Sequence, residues 1–505
     1  MIPLFFSILS GLLLIPCFPK YDLEFLAWFA LVPLLLAIKN KGQKSSFCHC
    51  FLTGFIFFCG VTYWLNEVTG IKLIDFLFIG IVLIAGYFGI FGLVFSFIVK
   101  KTKFPIIVIA PLLWVSIEYL RSHAGFLGFP WALMGHSQYK NIPIIQISSF
   151  TGVYGVSFII MMVNAVICEV ICNRLKAYKS IITMVIIIGV SYSYGIVIMK
   201  KDTVKDKKNI TVIQPNIAQE IKWQPEYMEE NLKEHVDLSI SASKDNNTEL
   251  IIWPETATGS IRQDDYLRHT ILSLAKEINT PLLIGSSQYA KFGASDLQEE
   301  MFNEAIFISS SGKIAEQYNK ILLLPFVEYL PYKETFPWPS RFFTNANYFQ
   351  SGTEYTIFKL NDTKFGVVVC WESTAPEIFR RFVKKGANFM INISNEAMFG
   401  DTAAPYHFAS MVVFRAVENR IYIARSANTG ISCFINPYGI ITKHVGDNNN
   451  VTFVKGHLTS KISITGKKTF YTMYGDIFIY TCIGIVMIML AFSLTKSESI
   501  STSIN

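Results

Sequence analysis

Apolar runs close to the length of one membrane crossing dominate the first 199 residues, separated by short polar loops. A helix rises about 1.5 Å per residue, so about 20 apolar residues cover the ~30 Å hydrocarbon core of a bilayer. Seven stretches approach that length, at residues 3–18, 23–38, 48–65, 76–99, 104–120, 153–172 and 181–199, and an eighth covers 474–494. The first run carries no Lys or Arg before Lys20, and the second follows almost at once. It therefore reads as a retained helix and not as a cleaved signal peptide.

Loop charges set an expected orientation. Lys39, Lys41 and Lys44 follow the second run, Lys100, Lys101 and Lys103 the fourth, and Arg174, Lys176 and Lys179 the sixth. The loops between are poorer in net positive charge. The positive-inside rule then puts both termini in the cytoplasm and residues from about 205 to 470 outside it. Lys200 and Lys201 run against this pattern, but a long translocated domain largely escapes the rule.

With 51% hydrophobic and 16% charged residues, the chain is too apolar for an ordinary soluble protein. Its net charge of +7 is spread over the loops and the polar block, with no dense basic patch interleaved with aromatics, so nucleic acid is not an expected partner. Seven of nine cysteines lie in or beside apolar runs, leaving Cys370 and Cys433 in the polar block and no disulfide framework. Cys48-His49-Cys50 lacks a second ligand pair at zinc spacing, so no metal is expected. Glu118 and Arg121 beside the fifth run read as an i,i+3 pair at a helix end or as part of a lipid-headgroup site.

From Lys208 the texture changes. Short β-branched runs at 210–213, 250–253, 281–284, 305–309, 365–369, 389–393 and 421–424 alternate with helix-like stretches at 227–242, 264–278 and 375–385. Gly-marked turns at 310–312 and 436–439 predict hairpins. An α/β domain with mixed sheets follows, and roughly 260 residues suffice for its core.

Three residues in this block carry chemistry. Cys370 ends an apolar strand and opens a helix-like stretch, where a helix N-terminus and a nearby cation would lower the thiol pKa. The Trp371 N–H could stabilise an oxyanion there. Glu255, after Trp253-Pro254, is placed to act as general base and acid. Lys320, after Tyr318-Asn319, could favour a thiolate and stabilise negative charge on a tetrahedral intermediate. On these arguments alone, each residue could equally be ordinary core or solvated surface.

Taken together, Trp253-Pro-Glu255, Asn319-Lys320 with Pro325-Phe-Val-Glu328, and Val369-Cys370-Trp371-Glu372 resemble the Glu, Lys, Cys signature of the nitrilase superfamily. The segments 392–400, 415–420 and 427–432 are similar to the apolipoprotein N-acyltransferase family within it. So are Trp28–Leu35, Trp114–Arg121, Gly128–Trp131 and Thr151–Ser157 in the apolar half.

That resemblance implies a fold class of about eight transmembrane helices plus an extracytoplasmic nitrilase-like αββα sandwich. Residues 1–200 would form the membrane domain, 208–465 the catalytic domain and 474–494 the last helix. It also implies a bacterial inner-membrane enzyme that needs no cofactor. Cys370 would take an acyl chain from a phospholipid as a thioester and pass it to the α-amino group of a diacylated apolipoprotein, with ping-pong kinetics. Glu328 would orient Lys320 or the amine, with Trp223, Trp371 and Glu372 in support. Trp371, Val327, Glu396 and Met398 stand where the family more often has Tyr, Gly, Asp and Trp. A membrane-tethered hydrolase using water, and a non-catalytic lipoprotein-binding relative, are the alternatives. The aromatic loop 332–349 is a candidate lipid-facing mouth.

Overall fold

The computed structural model describes residues 1–68, 80–173, 177–200, 206–244, 247–291, 299–337, 349–447, 450–464, 466 and 468–502. The chain divides into two compact units, one of residues 1–66, 71–201 and 474–505, the other of 67–70 and 202–473.

The first unit is helical. Among the described residues, five helices are long and apolar enough to cross a membrane: Gln43–Val61, Val82–Lys101, Val153–Cys172, Tyr178–Met199 and Ile477–Thr495. Three of the expected runs give shorter pieces. The first is a helix over Ile2–Leu14 continued by a 3₁₀ turn, and the second breaks into a 3₁₀ turn, Glu24–Trp28, and a short helix, Val32–Ile38. The fifth forms Ile106–Ser122 with Pro111 inside. Small residues let the helices approach closely: a Cβ on Gly92 would stand 2.3 Å from the Ser46 carbonyl oxygen.

Glu118 and Arg121 are both buried, and both hold one loop in place. Glu118 Oε1 accepts from the Met134 N–H (2.7 Å) and the Trp114 indole (3.1 Å). Arg121 donates to the carbonyls of Phe129 (2.9 Å) and Trp131 (2.7 Å).

The second unit is built on twelve described strands in two six-stranded sheets. The first sheet contains β1 (Asp206–Gln214), β2 (Leu250–Ile252), β3 (Leu282–Lys291), β4 (Glu299–Ile308), β5 (Ile314–Asn319) and β12 (Gly456–Ile464), ordered β12-β1-β2-β3-β4-β5. The second contains β6 (Phe358–Leu360), β7 (Thr363–Val369), β8 (Phe389–Ser394), β9 (Ile423–Ala427), β10 (Cys433–Ile435) and β11 (Ile441–His444), ordered β11-β10-β9-β8-β7-β6.

Parallel strands lie at the centre of each sheet and antiparallel ones at the edges. The central strands β8 and β9 are buried along their whole length, as parallel strands covered on both faces should be. The expected hairpins join β4 to β5 and β10 to β11, and Gly312 and Gly439 supply the positive φ their turns need.

Helices Met228–Ser243 and Asp265–Glu277 cover the first sheet around a core of Ile251, Trp253, Ile271, Leu282, Ile284 and Ile306. The second helix starts where the sequence predicted, with Asp264 capping the Leu267 N–H at 3.0 Å. Helix Pro376–Lys384 packs on β7 and beside helix Ala404–Asn419, which is buried on nearly every face. The two sheets meet face to face. Phe307 of the first lies 5.7 Å from Phe365 of the second, and the Ser426 hydroxyl on β9 reaches the carbonyls of Ile213 (2.9 Å) and Ile252 (3.2 Å).

Candidate active site

Strands that run in the same direction end on the same side of a sheet, and β5, two antiparallel steps from β3, runs the same way as β2, so residues just beyond their ends gather there. Pro254 carries the chain past β2 to Glu255, Lys320 follows β5, and Cys370 follows β7. The first two come from one sheet and Cys370 from the other. All three are buried, with exposures of 6%, 1% and 7%.

The Lys320 ammonium donates to Glu328 Oε1 at 2.8 Å and lies 3.5 Å from Glu255 Oε1. Glu328 is fixed in turn by the Leu324 N–H, 2.7 Å from its Oε2. Sequence reasoning missed a second residue, besides Lys320, that joins the two carboxylates. Asn303, on β4, donates its amide to Glu255 Oε1 (2.8 Å) and to Glu328 Oε1 (3.1 Å). The other Glu255 oxygen accepts from the Asn395 N–H, just past β8, at 2.7 Å. Asn303 lies just before the run read at 305–309, between Phe302 and Glu304, and no motif singles it out.

The Cys370 turn differs from the helix expected there. Residues Cys370–Thr374 form a single 3₁₀ turn, and an α-helix begins only at Pro376. Cys370 itself has φ +47°, an uncommon conformation for a side-chain-bearing residue, which turns the thiol out of the strand line.

Its pKa also moves against expectation, pushed up to about 12. Burial is the largest cause, and the charges of Glu255 and Glu328 add to it. Lys320 and a hydrogen bond from Ser394 act the other way without winning. The resting group is therefore a thiol. Burial also lowers the Lys320 pKa, but Glu328 and Glu255 more than offset it and leave Lys320 above an ordinary lysine, fully charged.

Glu372 is wholly buried and accepts four hydrogen bonds. Oε2 takes the Val369 N–H (2.8 Å), while Oε1 takes the Tyr318 hydroxyl (2.7 Å) and the N–H groups of Ile321 (2.8 Å) and Leu322 (3.1 Å). One side chain thus ties the strand leading to Cys370 to the segment around Lys320. Trp371 is buried edge-on against Phe408.

Trp223 is not drawn into this cluster. It is 44% exposed, with the Lys222 ammonium 5.6 Å from its ring. Together with Lys222, Thr256, Tyr266 and Leu267 it lines a cavity of about 230 Å³. In the aromatic loop, Tyr332 and Phe336 are exposed, whereas Trp338, Phe342, Phe343 and Tyr348 lie outside the described residues.

Glu396, one of the unusual positions, forms a fully buried ion pair with Arg425. Its carboxylate fills the space over Gly430, where a Cβ would stand 1.7 Å from Oε2. All nine cysteines are free, and Cys433 is a buried β10 residue. Among the described residues, no group of three or more His, Cys, Asp or Glu could hold a metal ion.

Comparison with known proteins places this arrangement. Residues 10–166 match the apolipoprotein N-acyltransferase N-terminal domain family, and residues 209–456 match the carbon-nitrogen hydrolase family. The chain is 32% identical to an apolipoprotein N-acyltransferase of Geobacter metallireducens, over 97% of this chain and 95% of the relative. It is 27% identical to that of Chlorobaculum tepidum, over 96% of each. Among solved structures, Saccharomyces cerevisiae Nit3, of branch 10 of the nitrilase superfamily, is similar over 52% of this chain and 92% of its own, at 19% identity and a TM-score of 0.39. On the full-length identity to its curated relatives, the chain belongs to the apolipoprotein N-acyltransferase family.

Proposed function

We propose that the chain N-acylates lipoproteins through a Cys370 thioester. Glu255 removes the thiol proton as sulfur attacks the ester carbonyl of a phospholipid. Lys320 and the Trp371 N–H stabilise the oxyanion. The carbon–oxygen bond breaks, and Glu255 returns the proton to the departing lysophospholipid. The α-amino group of an S-diacylglyceryl-cysteine then attacks the thioester. Glu255 takes the amine proton, an amide forms, the carbon–sulfur bond breaks and the thiolate is reprotonated.

The observation that carries this reading is the convergence of a buried thiol, a carboxylate with both oxygens anchored, and a buried ammonium between two carboxylates. A thiol pushed up to about 12 suits a step in which a base takes the proton as sulfur attacks. Glu328 orients Lys320, Glu372 supports the Cys370 turn, and Trp223 contributes at the mouth of the neighbouring cavity.

Both substrates carry acyl chains that resist transfer to water by about 0.8 kcal/mol per CH₂, which accounts for a membrane-anchored enzyme. We place it in the bacterial inner membrane with eight spans, cytoplasmic termini and the catalytic domain outside the cytoplasm. Labelling of cysteines introduced into exposed loops, using a membrane-impermeant reagent on intact spheroplasts, tests that placement.

The chemistry is tested by incubating purified protein with phospholipid and a diacylated lipopeptide and following both by mass spectrometry. An acylated Cys370 and a triacylated lipopeptide are expected. Acyl-enzyme that releases only free fatty acid would instead indicate the hydrolase. Bound lipopeptide with no acyl-enzyme would indicate a binding protein. Cys370→Ala should abolish every covalent species.

A further inference from the structure

We infer that Lys222 is a positioning residue for Glu255, holding the turn that aims its carboxylate and supplying the cation that balances two carboxylates sharing one Lys320. The inference rests on the reading of Glu255 as the base for Cys370.

The first observation is geometric. The Lys222 ammonium donates to the Glu255 carbonyl at 3.2 Å and to the Thr256 hydroxyl at 2.9 Å. Thr256 has φ +46°, a costly conformation for a β-branched residue, and the chain must hold it for Glu255 to point away from the strand. Lys222 bonds both residues of that strained turn. Its own backbone is fixed by Asn231, whose amide donates to the Lys222 carbonyl at 3.3 Å.

The second observation is the charge inventory. Lys320 contacts Glu255 and Glu328, so this buried trio carries one excess negative charge. Lys222 is 8% exposed and, among the described residues, forms no salt bridge. A buried, uncompensated ammonium is costly unless it faces negative charge. The charge that favours its protonated form is that of Glu255, since the Cys370 thiol is neutral at rest, although burial outweighs it and lowers the Lys222 pKa to about 8.

The other groups around it are of a different kind. His235, on the facing helix, is held neutral at neutral pH, its pKa lowered by burial to about 4. Glu229 and Asp264 line the adjoining cavity. The Arg425 guanidinium is a further buried cation whose charge reaches Glu255, but it is committed to its ion pair with Glu396, which leaves Lys320 and Lys222 as the ammonium groups that face the Glu255 carboxylate.

The test is the pH profile of Cys370 acylation, followed by intact-protein mass spectrometry on full-length enzyme in phospholipid–detergent micelles. Removing the cation makes protonation of the carboxylate pair easier, so the acid limb should move to higher pH. In Lys222→Gln it should move up by about one unit, while in Lys222→Arg, which keeps the charge, it should stay within a few tenths of a unit. A Lys222→Gln enzyme slowed by the same factor at every pH would overturn the inference in favour of a purely structural role. A displaced limb in Lys222→Arg would overturn it as well, and this arm stands if Lys222→Gln fails to fold. Wild-type protein that gains no phospholipid-derived mass at Cys370 would instead overturn the reading on which the inference rests.

Discussion

The Lys320 ammonium sits closer to Glu328, at 2.8 Å, than to Glu255, at 3.5 Å. Glu328 is therefore its nearer partner, and Glu255, the proposed base, has the looser contact with it. Glu328→Gln preserves shape but removes the anchor charge. Acyl-enzyme formation should fall by roughly 10²-fold, and stability by up to about 3 kcal/mol as a buried ion pair is broken. Rapid-quench mass spectrometry and thermal unfolding measure the two effects separately. A variant acylating at the wild-type rate would remove Glu328 from the mechanism.

Cys370 should alkylate slowly. Its folded pKa of about 12 lies above that of a free thiol, so the folded chain keeps a proton that the unfolded chain loses from about pH 8.5 upward. Stabilisation from this group is complete below that point and is lost as pH rises towards 12, by at most about 1.4 kcal/mol per pH unit. Between pH 7 and 10, iodoacetamide should label Cys370 far more slowly than a cysteine peptide, with a rate that climbs about tenfold per unit. Rapid labelling that levels off near pH 7 would show a resting thiolate instead.

Glu372 joins two segments through four hydrogen bonds, and Glu372→Ala would leave three N–H groups, that of Val369 buried and those of Ile321 and Leu322 partly so, without their acceptor. Each such orphan costs about 1–3 kcal/mol, so a loss above about 3 kcal/mol in the catalytic unit is expected, together with loss of acylation. Hydrogen exchange should localise the damage to residues near 321–322 and 369. Unchanged protection at those amides would argue against the clamp.

The Glu396–Gly430 contact offers a compensation test. Gly430→Ala places a methyl group where Glu396 Oε2 now lies, and the ion pair with Arg425 restrains that carboxylate. A loss of about 2–3 kcal/mol is expected. Adding Glu396→Asp, one carbon shorter, should restore part of it, and a double-mutant cycle on unfolding free energies measures the coupling. Strict additivity would mean that the two residues do not compete for space.

Much of the catalytic fold was legible because its signals are local. Seven β-branched or apolar runs became strands, the helix-like stretch at 264–278 became a helix, and the two glycine turns closed hairpins. Helix Ala404–Asn419 was hidden because it is buried almost all round, which erases the alternation of polar and apolar faces. Glu255, Lys320, Glu328 and Cys370 could be gathered from their motifs.

Asn303 could not, since its role depends on which strand lies beside which. The Cys370 pKa was misjudged for a related reason. A nearby cation can be guessed from sequence, but the depth of burial and the second carboxylate come only with the tertiary arrangement.

Because Glu255 hangs from one sheet and Cys370 from the other, no single element sets the gap between the proposed base and the proposed nucleophile. That gap is a dimension of the core, gauged by contacts such as Ser426 against the Ile252 carbonyl, three residues before Glu255. A substitution at Ser426, remote in chain and fully buried, should then act as a calliper screw, changing the rate of proton transfer by shifting one layer over the other.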